Sequence, residues 1–196
     1  MSVVVAIKDK NKVWMGADLQ CTSGEQKIIL KNPNNFKIWK IQNCSKGLMG
    51  GVGYIRDINV LSVHEDLIEE LVQLKNEFNF KYVVQKIVPK ITSIFETAKH
   101  IKQDSLYHDS EFLISYKDKL FLIGSDKSVI EIDDYFAIGS GKDFALGSLQ
   151  DTYTNPKISI KDKIIKAILT ANSSVYVGGG IVIGSTEDDI ELVKSE

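Results

Sequence analysis

The residue with the most chemical potential in this sequence is Ser2, which stands directly behind Met1. A serine hydroxyl is a poor nucleophile until a base takes its proton. At the first position of a chain that base is built in. The free α-amine has a reference pKa of about 7.7 to 8.0, so a useful fraction is neutral near pH 7. Met1 has to leave first, since an amide nitrogen is no base, and Ser is small enough for its removal to be expected. Such chemistry also needs a charge that favours the alkoxide and backbone donors for an oxyanion. The glycine-dense stretch 47–53 implies close backbone approach and supplies candidate donors. Lys37, Asp18 and Ser140 are of suitable types, but by type alone they are two strand charges and a turn serine.

Other chemistries find little support. His64, His100 and His108 lie on or after helical stretches without metal-ligand spacing. Cys21 and Cys44 are too few for a disulfide scaffold, and no CxxC is present. Cys21 reads as a small residue at a strand end, and Trp14 and Trp39 read as packing residues. Basic and acidic residues number 24 and 26 and interleave throughout, which argues against a nucleic-acid surface. The chain is 43% hydrophobic with three prolines, which fits one globular domain over 1–196. The N-terminus has no basic segment ahead of its short apolar run, and no stretch approaches the roughly 20 apolar residues of a membrane span. The expected compartment is the cytoplasm.

The elements that would position these residues follow from hydrophobic periodicity. Two strands, over 2–7 and 13–18, flank a polar turn, and a polar connection through Thr22, Ser23 and Gly24 follows. A strand is expected over 36–41. Ile55, Ile58, Leu61, Ile68, Leu71, Val72 and Leu74 recur at helical spacing as a first long helix. Phe80, Val83, Val84, Ile87, Val88, Ile91, Ile94, Phe95, Ala98 and Ile101 mark a second, with a kink or break expected at Pro89. The period then changes to strands at 111–116 and 119–124 around Lys117 and Asp118, and again at 128–132 and 135–138. Helices follow at 144–150 and from Ile160 to about Ala171, then strands at 180–184 and 189–193. Clustered strands with paired helices imply a layered α+β domain: two antiparallel sheets face to face, each covered by two helices.

That order resembles the proteasome β-type subunits, and local motifs agree. The opening Ser2-Val-Val-Val-Ala-Ile7 is similar to the family's Thr or Ser followed by a strand. Val13-Trp-Met-Gly-Ala-Asp18 resembles its second strand, and Lys37 occupies its Lys-Ile slot. Met49-Gly-Gly-Val-Gly53 with Asp57 is similar to the turn that opens its first long helix. Ala137-Ile-Gly-Ser-Gly141 with Phe144 and Ala145 matches its Gly-Ser-Gly segment. The likeness covers nearly the whole chain and is greatest to the bacterial proteasome-like peptidase that partners an ATP-driven unfoldase.

The resemblance implies a four-layer αββα sandwich of the N-terminal-nucleophile hydrolase type. It implies Ser2 as nucleophile, Lys37 as the ammonium beside it, and Asp18 as the carboxylate pairing with Lys37. Ser140 would hold the amine or a water, and Gly50 would supply the oxyanion donor, with Gly51 as the neighbouring alternative. Pocket walls would involve residues around Cys21, Lys31 and Gly53. The implied function is peptide-bond hydrolysis of unfolded polypeptide within a homo-oligomeric ring, served by an ATP-dependent unfoldase. No cofactor or metal is called for. One position departs from the pattern: Ser173 or Ser174 stands where the family carries an Asp after the last long helix. The alternative this raises is a catalytically silent scaffold or assembly protein on the same sandwich, and an amidase acting on small amides is a third reading.

Overall fold

Lys10 adopts a left-handed backbone (φ 46) and, with Asn11, turns the chain between β1 (Val4–Asp9) and β2 (Lys12–Asp18). In the computed structural model, which describes residues 2–98 and 109–193, β1 has neighbours on both edges and cover on both faces. Val3, Val5 and Ile7 point to one side and Val4 and Ala6 to the other, and all are fully buried. That is why the opening run is continuously apolar and does not alternate.

Polar residues 20–29 form a hairpin of β3 (Gln20–Ser23) and β4 (Gln26–Ile29), turned at Gly24 (φ 59). The expectation of a plain connection there is corrected: Gln20, Cys21, Thr22 and Ser23 pair with a strand whose Ile28 and Ile29 are exposed, so no apolar alternation announces it. β5 (Ile38–Lys40) and β6 (Gly47–Val52) follow. The first long helix is broken in two, α1 (Ile55–Ser62) and α2 (Glu70–Lys75). Between them Asp66 sits in the left-handed region (φ 59), which a continuous helix cannot contain. Leu71 and Leu74, expected on its apolar stripe, are exposed, while Val72 is buried.

The second helical stretch begins as α3 (Phe80–Tyr82), passes through one π-turn (Val83–Ile87) and continues as α4 (Val88–Thr97). Pro89 therefore does not end the run. The widened turn, in which Val88 N–H reaches Val83 O, sits just ahead of the residue that lacks an N–H. Ile101, His100 and His108 lie outside the described residues, as does Met1.

The remaining strands are β7 (Glu111–Tyr116), β8 (Lys119–Ile123), β9 (Val129–Glu131) and β10 (Tyr135–Ile138). Then come α5 (Lys142–Thr152), α6 (Ile160–Ala171), β11 (Ile181–Ser185) and β12 (Glu191–Val193).

The strands pair antiparallel in two five-stranded sheets, ordered β10-β1-β2-β11-β12 and β5-β6-β7-β8-β9. Three apolar layers lie between four structural layers. Ile58, Leu61, Ile87, Ile91 and Phe95 pack with Met49, Phe112, Ile114 and Phe121 between the helices α1 to α4 and the second sheet. Val4, Met15, Ile38, Leu48, Leu113 and Leu122 fill the space between the sheets. Val5, Ile7, Ala145, Leu149, Ile164 and Ile168 join α5 and α6 to the first sheet. The result is an αββα sandwich. Full burial of each such side chain contributes roughly 1.5–3 kcal/mol, so this packing holds the ends of β1, β2, β6 and β10 in fixed relation.

Candidate active site

Those four strand ends meet where the sheets face one another. Ser2 lies just ahead of β1 and is 7% exposed. The segment after β10 crosses it: Gly141 N–H donates to Ser2 O at 3.3 Å, and the Ser140 hydroxyl donates to the same oxygen at 3.4 Å. Ser140 Oγ also accepts from Ser2 N at 3.1 Å. Gly139 makes this crossing possible. Its φ is +96, and a Cβ there would collide with Ser2 O.

Asp18, at the end of β2, is fully buried and accepts four hydrogen bonds. Oδ1 takes Val3 N–H at 2.9 Å and Lys37 Nζ at 2.6 Å. Oδ2 takes Gln20 N–H and Gly178 N–H, each at 3.2 Å. Lys37, just ahead of β5, is 2% exposed and also donates to Gln20 O at 2.5 Å. Burial pushes the Lys37 ammonium below the ordinary lysine range, and the Asp18 carboxylate opposes that shift. A lone buried ammonium would shed its proton. Because Val3 N–H and Lys37 Nζ share one carboxylate oxygen, the positive charge is anchored one residue from Ser2.

A cleft of about 690 Å³ opens beside these residues, lined by Ser2, Thr22, Gly53, Tyr54, Gly139 and Ser140 among others. Gly53 follows the end of β6 with φ +114, and a Cβ there would come within 2.5 Å of Asp109 O and 2.6 Å of Ser110 Cα. Its turn is pinned by fully buried Asp57. The carboxylate accepts from Ser110 Oγ at 2.6 Å, and Ser110 Oγ accepts from Tyr54 N–H at 3.1 Å. Gly53 N–H donates to no other described residue.

The structure thus brings Ser2, Asp18, Lys37 and Ser140 together. It does not bring Gly50. That glycine sits in β6 between the sheets, where a Cβ would meet Val4 and Ile38. Gly51 N–H donates to Lys37 O at 2.8 Å, so strand alternation turns the Gly50 N–H to the opposite edge, where it pairs with Leu113 of β7. Both N–H groups are used by the sheet, and the glycine at the cleft is Gly53. Ser173 and Ser174 also stay apart. Ser173 is exposed, and Ser174 Oγ accepts from Tyr176 N–H in its own turn. Of the expected pocket walls, Gly53 and Thr22 beside Cys21 line the cleft, and Lys31 does not. Sequence reasoning missed Gln20, 4% exposed, whose only signal was its spacing of two from Asp18 on alternating backbone.

This geometry can be set beside known proteins. A family model described as the proteasome subunit matches residues 2–185. The chain belongs to the proteasome subunit family. Among curated relatives, a proteasome subunit beta from Nanoarchaeum equitans (strain Kin4-M) is 26% identical over 194 residues, spanning 93% of this chain and 91% of that one. Among solved structures, Thiobacillus denitrificans BPH in complex with epoxomicin matches with a TM-score of 0.71 at 17% identity, covering 95% of this chain and 99% of its own. The eukaryotic HslV from Trypanosoma brucei matches with a TM-score of 0.66 at 17% identity, covering 93% and 98%. These two share the αββα fold. Among the described residues no helix is long and apolar enough to cross a membrane.

Proposed function

We propose that this proteasome-family subunit is a peptidase in which Ser2, freed of the residue before it, is the nucleophile and its own α-amine is the base. The observation that carries this reading is one cleft lined by Ser2, Ser140 and Gly53, with the buried Lys37–Asp18 pair tied to Val3 N–H directly behind Ser2. Ser2 Oγ attacks the scissile carbonyl carbon while the neutral α-amine takes the hydroxyl proton. The Lys37 ammonium disfavours protonation of that amine in the resting site and stabilises the alkoxide as it develops. The oxyanion of the tetrahedral intermediate accepts from Gly53 N–H, a donor the sheet leaves unused. On collapse the C–N bond breaks, and the leaving amine takes the proton back from the α-ammonium. Water then attacks the resulting ester, with the α-amine again as base, and Ser2 and a carboxylic acid are restored.

Ser140, hydrogen bonded to both the nitrogen and the carbonyl oxygen of Ser2, holds the amine in line. The absence of a carboxylate at Ser173 and Ser174 does not empty the site of acid. Asp18 supplies a fully buried carboxylate with all four of its donors in place. We further propose, on family membership, that the substrates are unfolded polypeptides and that the subunit works in a homo-oligomeric ring in the cytoplasm, fed by an ATP-dependent unfoldase.

The test is acylation of the purified protein by a peptide epoxyketone or vinyl sulfone, read by intact mass. One adduct at Ser2 is expected, and Ser2→Ala and Lys37→Ala should both abolish it. Retention of Met1 in the native protein would overturn the mechanism, because the base would then be an amide. Sedimentation tests the ring, and a stable monomer at micromolar concentration would refute it.

A further inference from the structure

Resting on the reading of Ser2 as nucleophile, we infer that Gln20 is a positioning residue: its buried side-chain amide clamps the 174–178 turn against the Asp18–Lys37 pair and so fixes the carboxylate that orients Ser2. Gln20 opens β3 two residues after Asp18, so the two side chains share a side of the backbone. Three polar groups of Gln20 hydrogen-bond the site or that turn. Its N–H donates to Asp18 Oδ2 at 3.2 Å, and its O accepts from Lys37 Nζ at 2.5 Å. Its Nε2 donates to Val175 O at 3.0 Å and reaches Thr22 Oγ1, on the cleft wall, at 3.5 Å. Its Oε1 lies under Gly178, where a Cβ would come within 3.1 Å of it.

The backbone holds one end of the turn, where Leu19 N–H donates to Gly178 O at 3.0 Å and Gly180 O at 3.1 Å, and side chains hold the rest. Val175 and Tyr176 are 63% and 39% exposed, and Val177 is its one buried apolar side chain. Gly178, Gly179 and Gly180 all have positive φ and no side chains to pack. Two side chains hydrogen-bond the turn from outside it, Gln20 at Val175 O and Asp18 at Gly178 N. These are linked. While Gln20 holds Val175, Gly178 N–H stays within reach of Asp18 Oδ2. While both Oδ2 donors stay, the carboxylate plane keeps Oδ1 between Val3 N–H and Lys37 Nζ. Loss of the Gln20 amide therefore reaches Ser2 through the turn, Gly178, Asp18 and Val3.

Gln20→Met keeps the length and apolar volume and removes the amide. It should slow Ser2 acylation by a peptide epoxyketone roughly ten- to hundredfold, the order of effect that follows a displacement of about 1 Å at a reacting centre. The loss should fall on the maximal acylation rate rather than on the half-saturating probe concentration. Gln20→Glu separates positioning from packing. The charged groups that face this position are Asp18 from β2, Lys37 ahead of β5 and, from β4, Lys27, which pairs with Thr22; the 172–180 segment brings the Tyr176 phenol. Protonated, the new side chain donates to Val175 O; ionised, it has no hydrogen to give. The acylation rate of Gln20→Glu divided by that of the wild type should therefore rise as pH falls, while the ratio for Gln20→Met stays flat. Hydrogen exchange by mass spectrometry on the full-length protein should show faster exchange over 172–180 in Gln20→Met. Wild-type exchange there would overturn the inference even if the Ser2 reading stands, as would wild-type acylation by Gln20→Met or a flat Gln20→Glu ratio. A wild-type protein that is never acylated would instead refute the Ser2 reading, and the exchange result would still decide whether Gln20 holds the turn.

Discussion

Asp18→Asn is the sharpest probe of the buried pair, because it changes one atom and a charge while leaving the volume alone. In the wild-type protein each carboxylate oxygen accepts two donors, Val3 N–H and Lys37 Nζ on Oδ1, Gln20 N–H and Gly178 N–H on Oδ2. An amide offers one oxygen only. With that oxygen turned to Lys37, the NH₂ faces two N–H donors, which lose their acceptor at about 1–3 kcal/mol for each buried group. Lys37, 2% exposed, also loses its counter-charge. Breaking one side of a buried ion pair typically costs about 3–5 kcal/mol, and these terms overlap, so the expected loss is about 3–5 kcal/mol in all. That is a large part of the roughly 5–15 kcal/mol that holds an ordinary domain together. Urea unfolding measures the loss, and acylation by a peptide epoxyketone under native conditions measures the site. With the opposing carboxylate charge gone, burial lowers the Lys37 pKa further, so residual acylation should decline at a lower pH than in the wild type. A variant within about 1 kcal/mol of wild type would refute the energetic reasoning. Wild-type acylation and pH dependence would refute the chemical reasoning, whatever the stability.

Other consequences are simpler to read. Ser140→Ala removes the acceptor of Ser2 N and should slow acylation at least tenfold while costing only about 1 kcal/mol in urea unfolding, the worth of one hydrogen bond. Gly53→Ala forces a Cβ against Asp109 O and Ser110 Cα at φ +114, so acylation should be lost; Gly50→Ala, crowding Val4 and Ile38, should lower stability by about 1–3 kcal/mol. Among Gly50→Ala molecules that remain folded, acylation should persist, and the fraction of labelled protein by intact mass distinguishes the two. Lys37 has a lower pKa in the folded chain than in the unfolded one, so between the two values the unfolded state binds more protons and stability rises with pH. Wild-type stability relative to Lys37→Met should therefore increase from its folded pKa toward about 10.4, and a flat or falling difference would contradict the shift.

How far the fold is legible depends on whether the information is local. β1, β2, β7, β8, β10 and α6 could be read because continuous or periodic apolar runs report burial directly, as in Val3 to Ile7 and in Ile164, Ala167 and Ile168. The hairpin of β3 and β4 could not, since, of Gln20 to Ser23 and Gln26 to Ile29, Cys21 alone packs against a core, while Ile28 and Ile29 are exposed. The break between α1 and α2 is equally silent. Leu61 and Ile68 keep helical spacing across it and both are buried, while Asp66 reverses the backbone between them. Pro89 misleads in the opposite sense: the sequence shows a missing donor, but only the three-dimensional turn shows that a π-bulge absorbs it.

The site divides along the same line. Ser2, Asp18, Lys37 and Ser140 stand in motifs whose order resembles a known family, and their side chains converge because the strands that carry them are set by the core. The proposed oxyanion donor is a different kind of information. Gly50, Gly51 and Gly53 are the same residue type within four positions, and what separates them is the direction of an N–H. Strand alternation gives Gly51 to Lys37 O and turns Gly50 toward Leu113, and the ladder ends at Val52. Gly53 is the first glycine past that end, with φ +114 and no room for a Cβ against Ser110 and Asp109. The proposed donor is therefore set by where pairing stops, and pairing stops where Ser110 Oγ, itself held by Asp57, accepts the Tyr54 N–H as the chain turns into α1.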